Sequence, residues 1–168
     1  MELDNLRKYV SESDPVVNAL LRNNKDASDY TFDSLFKVES FPRPLYRLIN
    51  NDYFQVHDNI FVDQAYLSCT RDVDLFINHV QGENVACLHF DIYDEFPMID
   101  VHTILKDYND ENEVILPRGL RFKVELMKIH SSLDDIQEFL DIVNSIYSVN
   151  EIRDIFKIIN IYYYKLTL

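Results

Sequence analysis

The feature that most constrains this chain is a change in the spacing of its apolar residues near Pro42. Before it they recur at helical intervals: Leu3, Leu6 and Val10, then Val16, Val17, Leu20 and Leu21, then Phe32, Leu35, Phe36 and Val38. That spacing lays one apolar stripe along a helix, so three helices are expected within 1–40. Asp14-Pro15 supplies an N-cap followed by proline at the first helical position. Asp29 or Thr31 suits the cap of the third helix, with Asn23, Asn24 and Ser28 in the turn before it.

After Pro42 the pattern becomes that of short strands. PLYRLI (44–49), IFVDQAYLSC (60–69), VACLHFDI (85–92), EVILP (113–117), LRFKVELMKI (120–129) and INIYYYKLTL (159–168) are rich in β-branched and aromatic residues. Short helices or turns fit 72–80 and 99–105. Helical spacing returns over 132–156, through Ile136, Phe139, Leu140, Val143, Ile146, Ile152 and Ile155, and opens with Ser132 and Asp135 in a capping pattern. Helices, then strands, then a helical insertion before a last strand define an α+β chain. A length of 168 residues fits one domain. Its expected parts are helices in 1–40, core sheets in 42–129, a helical insertion in 130–157 and a final strand in 158–168.

Charge narrows the partners. A net charge of −13 disfavours nucleic acid and anionic lipid, whose binding rewards Lys and Arg, and favours a basic protein surface. No apolar run approaches the roughly 20 residues that span a bilayer; the longest, IINIYYY (158–164), reads as a buried strand. The opening MELDNLRKYVSESD is too polar for a secretory signal, so a cytosol is the expected compartment, a host cytosol for a viral protein or effector. Abundant Ile, Asn, Asp and Tyr with no Trp fits an AT-rich genome, viral or low-GC bacterial. Without a secretory signal, Cys69 and Cys87 are expected as reduced, half-buried thiols, and two cysteines make no structural zinc site alone.

Metal is not expected. His57, His79, His89, His102 and His130 lack ligand spacing, and His89, inside an apolar strand, reads as a satisfied core histidine. The acidic run 107–113 lacks the glycine and periodicity of a calcium loop. With only Gly82 and Gly119 there is no glycine-rich phosphate loop.

Three short signatures stand in order on expected strands: Arg47 in PLYRLI, Ser68-Cys69-Thr70 in AYLSCTRD, and Glu111-Asn112-Glu113 in YNDENEVILPRG. Singly each is commonplace. Together, with FKV (122–124) after EVILPRG (113–119), they resemble the R-S-E, toxin-like branch of the mono-ADP-ribosyltransferases, over about residues 18–125. The resemblance implies a fold of N-terminal helices and two packed, mostly antiparallel β-sheets around an NAD cleft. NAD is then the substrate, and a protein acceptor with an exposed arginine the partner.

The chemistry suits those residue types. Cleaving the N-glycosidic bond of NAD expels nicotinamide and builds positive charge on the ribose, which a fixed carboxylate stabilises in the transition state. The resemblance makes Glu113 that carboxylate, with Ser68 orienting it and Thr70 in support. Arg47 holds the pyrophosphate, a forked donor suited to it, and the backbone at Leu48 lies where relatives hold the nicotinamide amide. Tyr93 and Phe96 are the candidates for stacking on nicotinamide. Glu111, two residues before Glu113, faces the same way on an extended segment and can orient the acceptor; the resemblance further implies that a Glu there goes with arginine acceptors. By the same resemblance Tyr108, an aromatic three positions before Glu111, marks the substrate-recognition loop. The chain departs from the pattern at Cys69, the middle of the serine motif, and at Leu48-Ile49, where many relatives carry a glycine after the arginine; no second phosphate-binding arginine is obvious, and Arg43 and Arg71 are the candidate substitutes. Two rival readings remain at this level, an NAD glycohydrolase and a non-catalytic binding protein with the same fold.

Overall fold

The computed structural model describes residues 1–12, 15–108 and 112–168. The chain separates into two compact units, Met1–Phe41 with Val62–Cys69 and Tyr93–Arg121, and Pro42–Phe61 with Thr70–Ile92 and Phe122–Leu168. The fold is α+β, as its sequence pattern indicates.

In the first unit, α1 (Glu2–Ser11) and α2 (Val16–Arg22) form where the helical spacing places them. Asp14, the expected N-cap of α2, lies outside the described residues, and Pro15 directly precedes the helix. Leu6, Tyr9 and Val17 face a cluster with Phe32, Tyr66 and Ile115. The expected third helix is absent. Phe32 and Phe36 instead stack on one ring, that of Tyr66, at centroid distances of 4.1 and 5.8 Å. Only a 3-10 turn, Asp33–Leu35, fits between them before β1 (Lys37–Ser40).

β1 is fully exposed, so no burial pattern announces it; its ladder with β6 (Glu95–Asp100) makes it a strand. β6 in turn runs antiparallel to β7 (Glu113–Leu116) through Ile99↔Ile115 and Asp100↔Val114. That ladder starts beyond Pro97, which therefore needs no donor there. Residues 99–100 thus belong to the strand, and only α4 (Val101–Ile104) of the expected 99–105 segment is helical. The strand order is β1-β6-β7-β4, the last contributing residues 67–69.

The expected single strand over 60–69 is two, β3 (Ile60–Asp63) and β4 (Leu67–Thr70). Asp63 Oδ1 accepts the Ala65 N–H at 2.9 Å, a side-chain turn that interrupts the extended chain between the two strands.

The second unit carries β2 (Tyr46–Asn50), β5 (Asn84–Phe90), β9 (Asn160–Thr167) and, from Phe122 onward, β8 (Leu120–His130), in that order, with residues 60–61 of β3 beyond β8. β2 with β5 and β8 with β9 are antiparallel, whereas β5 and β9 run parallel. Helix α3 (Asp74–Ile77) and α5 (Leu133–Ile142) supply Ile77, Ile136, Phe139 and Leu140 to an apolar cluster with Val85 and Ile161. The Ser132 cap forms as its sequence indicates, Oγ accepting the Asp135 N–H at 3.1 Å. Cys69 and Cys87 are unbridged thiols, fully buried where half-buried ones are expected, and burial pushes the Cys87 thiol pKa up.

Candidate active site

Glu113 opens β7 and is 8% exposed, a buried carboxylate on a strand otherwise made of Val114, Ile115 and Leu116. Ser68, on β4, donates its hydroxyl to Glu113 Oε1 at 2.6 Å. A hydroxyl-to-carboxylate bond of that length is charge-assisted and holds the acid in one orientation. The sequence places these residues 45 positions apart; the fold makes them partners.

The segment ahead of Ser68 is fixed by groups that sequence patterns did not single out. Asn18, on α2 and buried, donates from Nδ2 to the Tyr66 carbonyl at 3.3 Å and accepts the Tyr66 N–H at 3.2 Å. An amide side chain so placed does for Tyr66 what a neighbouring strand does for a ladder residue. The Tyr66 hydroxyl accepts the Phe32 N–H at 3.2 Å and donates to Asp33 Oδ1 at 2.7 Å. Burial, then Asp33, keeps that phenol protonated far above its ordinary range. Arg118, just past β7, closes the set with a forked contact to Asp33, Nη2 to Oδ2 at 2.8 Å and Nε to Oδ1 at 3.1 Å. The one available signal was an Asn beside Val17 on the buried side of an amphipathic helix.

The other expected site residues fall as follows. Tyr108 is half-buried, packed against the first cluster, and its hydroxyl donates to the Val10 carbonyl at 2.7 Å. Beside it Arg7 Nη1 meets both oxygens of Asp107, at 3.0 and 3.2 Å, which holds that carboxyl below its usual range. Tyr93 is 63% exposed, and Phe96 is half-buried on β6 opposite Glu39. Glu111 lies outside the described residues.

In the second unit Arg47 is half-buried on β2 opposite Leu88, and Leu48 is buried opposite Cys87. Thr70 is buried, and its hydroxyl serves a local turn, donating to the Asp72 carbonyl and accepting the Asp72 N–H, both at 3.0 Å. Arg43 Nη2 donates to the Ile92 carbonyl at 2.7 Å. His89 is half-buried with Nδ1 2.7 Å from the Tyr163 hydroxyl, and burial lowers its pKa from 6.5. Among the described residues no three His, Cys, Asp or Glu side chains gather as a metal site, and no helix is long and apolar enough to cross a membrane.

This architecture recurs in solved structures. The chain is similar to the Salmonella SpvB ATR domain, with a TM-score of 0.60 and 13% identity over 98% of each chain. It is similar to an ADP-ribosyltransferase from Clostridium botulinum, with a TM-score of 0.54 and 11% identity over 99% of this chain and 86% of that one. A third is the ADP-ribosylating toxin BECa of C. perfringens, solved with NADH, with a TM-score of 0.55 and 14% identity over 98% of this chain and 43% of that one. The chain therefore has the fold of the catalytic domains of ADP-ribosyltransferase toxins. In sequence it is 28% identical over 169 residues to reticulocyte-binding protein homolog 1 of Plasmodium falciparum (isolate 3D7), a match that covers 95% of this chain. The chain spans about 5% of the length of that relative. No family model matches it.

Proposed function

We propose that this chain is a mono-ADP-ribosyltransferase that cleaves NAD and transfers ADP-ribose to an arginine of a protein acceptor. The observation that carries the reading is the buried Glu113 carboxylate held at 2.6 Å by the Ser68 hydroxyl, on the strands where the R-S-E resemblance puts them. A carboxylate fixed before the reaction begins stabilises the ribosyl cation without reorganising, which is where such sites gain most. The glycosidic bond breaks, nicotinamide leaves with the bonding electrons, and a guanidine nitrogen of the acceptor attacks the ribose carbon. Glu111 takes the proton released from that nitrogen. Arg47 binds the pyrophosphate as a separate assignment, resting on its strand position and charge. Tyr108 shapes the acceptor loop through its anchor to Val10.

The test is incubation of the purified chain with labelled NAD and a mixture of basic proteins, with Glu113→Gln alongside. The isosteric amide is expected to keep the fold and the KM for NAD within a few-fold while lowering turnover by about 10²–10³. Turnover equal to wild type in a folded Glu113→Gln sinks the assignment. Release of free ADP-ribose with no labelled protein would move the reading to an NAD glycohydrolase. An inactive wild type that gains no thermal stability from NAD would make the fold a binding module.

A further inference from the structure

The second unit presents an open strand side that the proposed chemistry does not use. β8 has eleven residues, whereas β3, its neighbour on the side away from β9, has four. The Val124 N–H donates to the Asn59 carbonyl at 2.8 Å, where the chain turns into β3. From Glu125 to His130 no strand pairs with that side of β8 among the described residues. Such a row of backbone donors and acceptors is a template for another strand.

The side chains there are apolar. Leu126 is 47%, Met127 51% and Ile129 43% exposed. The β8–β9 ladder slips between Leu126 and Lys128, leaving Met127 as the extra, outward residue of a bulge. Because of the slip, Leu126 lies opposite Tyr164 and Ile129 opposite Tyr162, so both fall on one sheet face beside half-buried tyrosines. Lys128, the residue that would guard an edge, is instead folded onto α5, with Nζ 2.8 Å from Glu138 and 3.1 Å from Asp135.

Charge selects the occupant. Residues 125–142 carry Glu125, Asp134, Asp135, Glu138 and Asp141 against Lys128 alone. A second copy would bring the same acidic stretch, and another net charge of −13, against the first. We propose that this open side of β8 binds, by strand addition, an extended segment of a protein partner in which apolar and basic residues alternate. Main-chain bonds give such docking its affinity, and alternate side chains give it selectivity. The apolar positions meet Leu126 and Ile129, and the basic ones meet the carboxylates of Glu125 and α5.

The test uses the intact chain with two probes, acetyl-(Lys-Val)4-amide and acetyl-(Glu-Val)4-amide, following amide hydrogen exchange residue by residue by NMR. The Lys-Val peptide is expected to slow exchange within 125–130 by about ten-fold or more, and the Glu-Val peptide to leave it unchanged. The double variant Leu126→Lys, Ile129→Lys alters only exposed side chains; it is expected to keep the melting temperature and lose the protection. Slowing by neither peptide, by both equally, or only at other residues overturns the proposal. Protection present without peptide, and rising with protein concentration, assigns this side of β8 to a second copy and overturns it too.

Discussion

In the first unit the chain ahead of Ser68 is held by side chains; in the second, β5 is held by strands. Asn18 grips both backbone groups of Tyr66, while Asp33 joins the Tyr66 hydroxyl to Arg118. β5 has β2 on one side and β9 on the other, and Val85, Ala86, Cys87 and Leu88 along it are fully buried. Hydrogen bonds from a buried amide are directional and fail together when one partner is removed. Apolar packing is non-directional and loses energy in proportion to the volume removed. The first unit therefore fixes position where a proposed catalytic pair needs it, and the second supplies bulk stability.

The largest effect that follows is in the second unit. Phe139→Ala removes a fully buried ring that meets His130 and Tyr163 edge-on, at 5.6 and 6.1 Å. Denaturant unfolding is expected to show a loss of about 3–5 kcal/mol. A loss under about 1 kcal/mol, the scale of an ordinary surface change, would mean that α5 is not packed as described and would undo the contrast between the units.

Next comes Asn18→Ala, which leaves the Tyr66 N–H without its partner inside the first unit and is expected to cost about 1–3 kcal/mol. Asn18→Asp keeps the acceptor and loses the donor, so it should recover part of that stability. If alanine and aspartate behave alike, the two bonds to Tyr66 are not what holds it.

The smallest effect concerns pH. Four of the five histidines, all but His102, lie in the second unit. His89 there has its pKa lowered from 6.5 by burial, which outweighs the opposing Asp91, with Lys165 adding a smaller lowering. The unfolded chain thus takes up this proton before the folded chain does. The His89 contribution is complete above pH 6.5 and is lost as pH falls from there through the lowered folded value. His89→Gln should flatten the stability profile in that window; an unchanged slope would place the effect elsewhere.

Much of this was readable from residues. α1, α2 and α5 each carry enough apolar positions on one face to declare a helix, and the Ser132 cap forms as its pattern implies. The order of Arg47, Ser68 and Glu113 pointed to the fold that the solved structures share. What escaped had no local signal. Lys37–Ser40 is exposed throughout, and its strand state comes from pairing with β6, far along the chain. Phe32, Leu35 and Phe36 have helical spacing, yet stacking on Tyr66 overrode it. Asn18 looks like any helix asparagine until Tyr66 is placed beside it.

The parallel pairing of β5 with β9 has a consequence for synthesis on the ribosome. β9 lies between β5 and β8 but is made after both, and Asn84 and Asn160, which face each other in that ladder, are 76 positions apart. Until β9 takes its place, β5 and β8 each have an open side where β9 should join them. Both are then raw edges, able to pair with each other out of order or with a neighbouring nascent chain. β9 therefore works as a wedge, and the sheet of the second unit closes only when this late-made strand slots between two earlier ones.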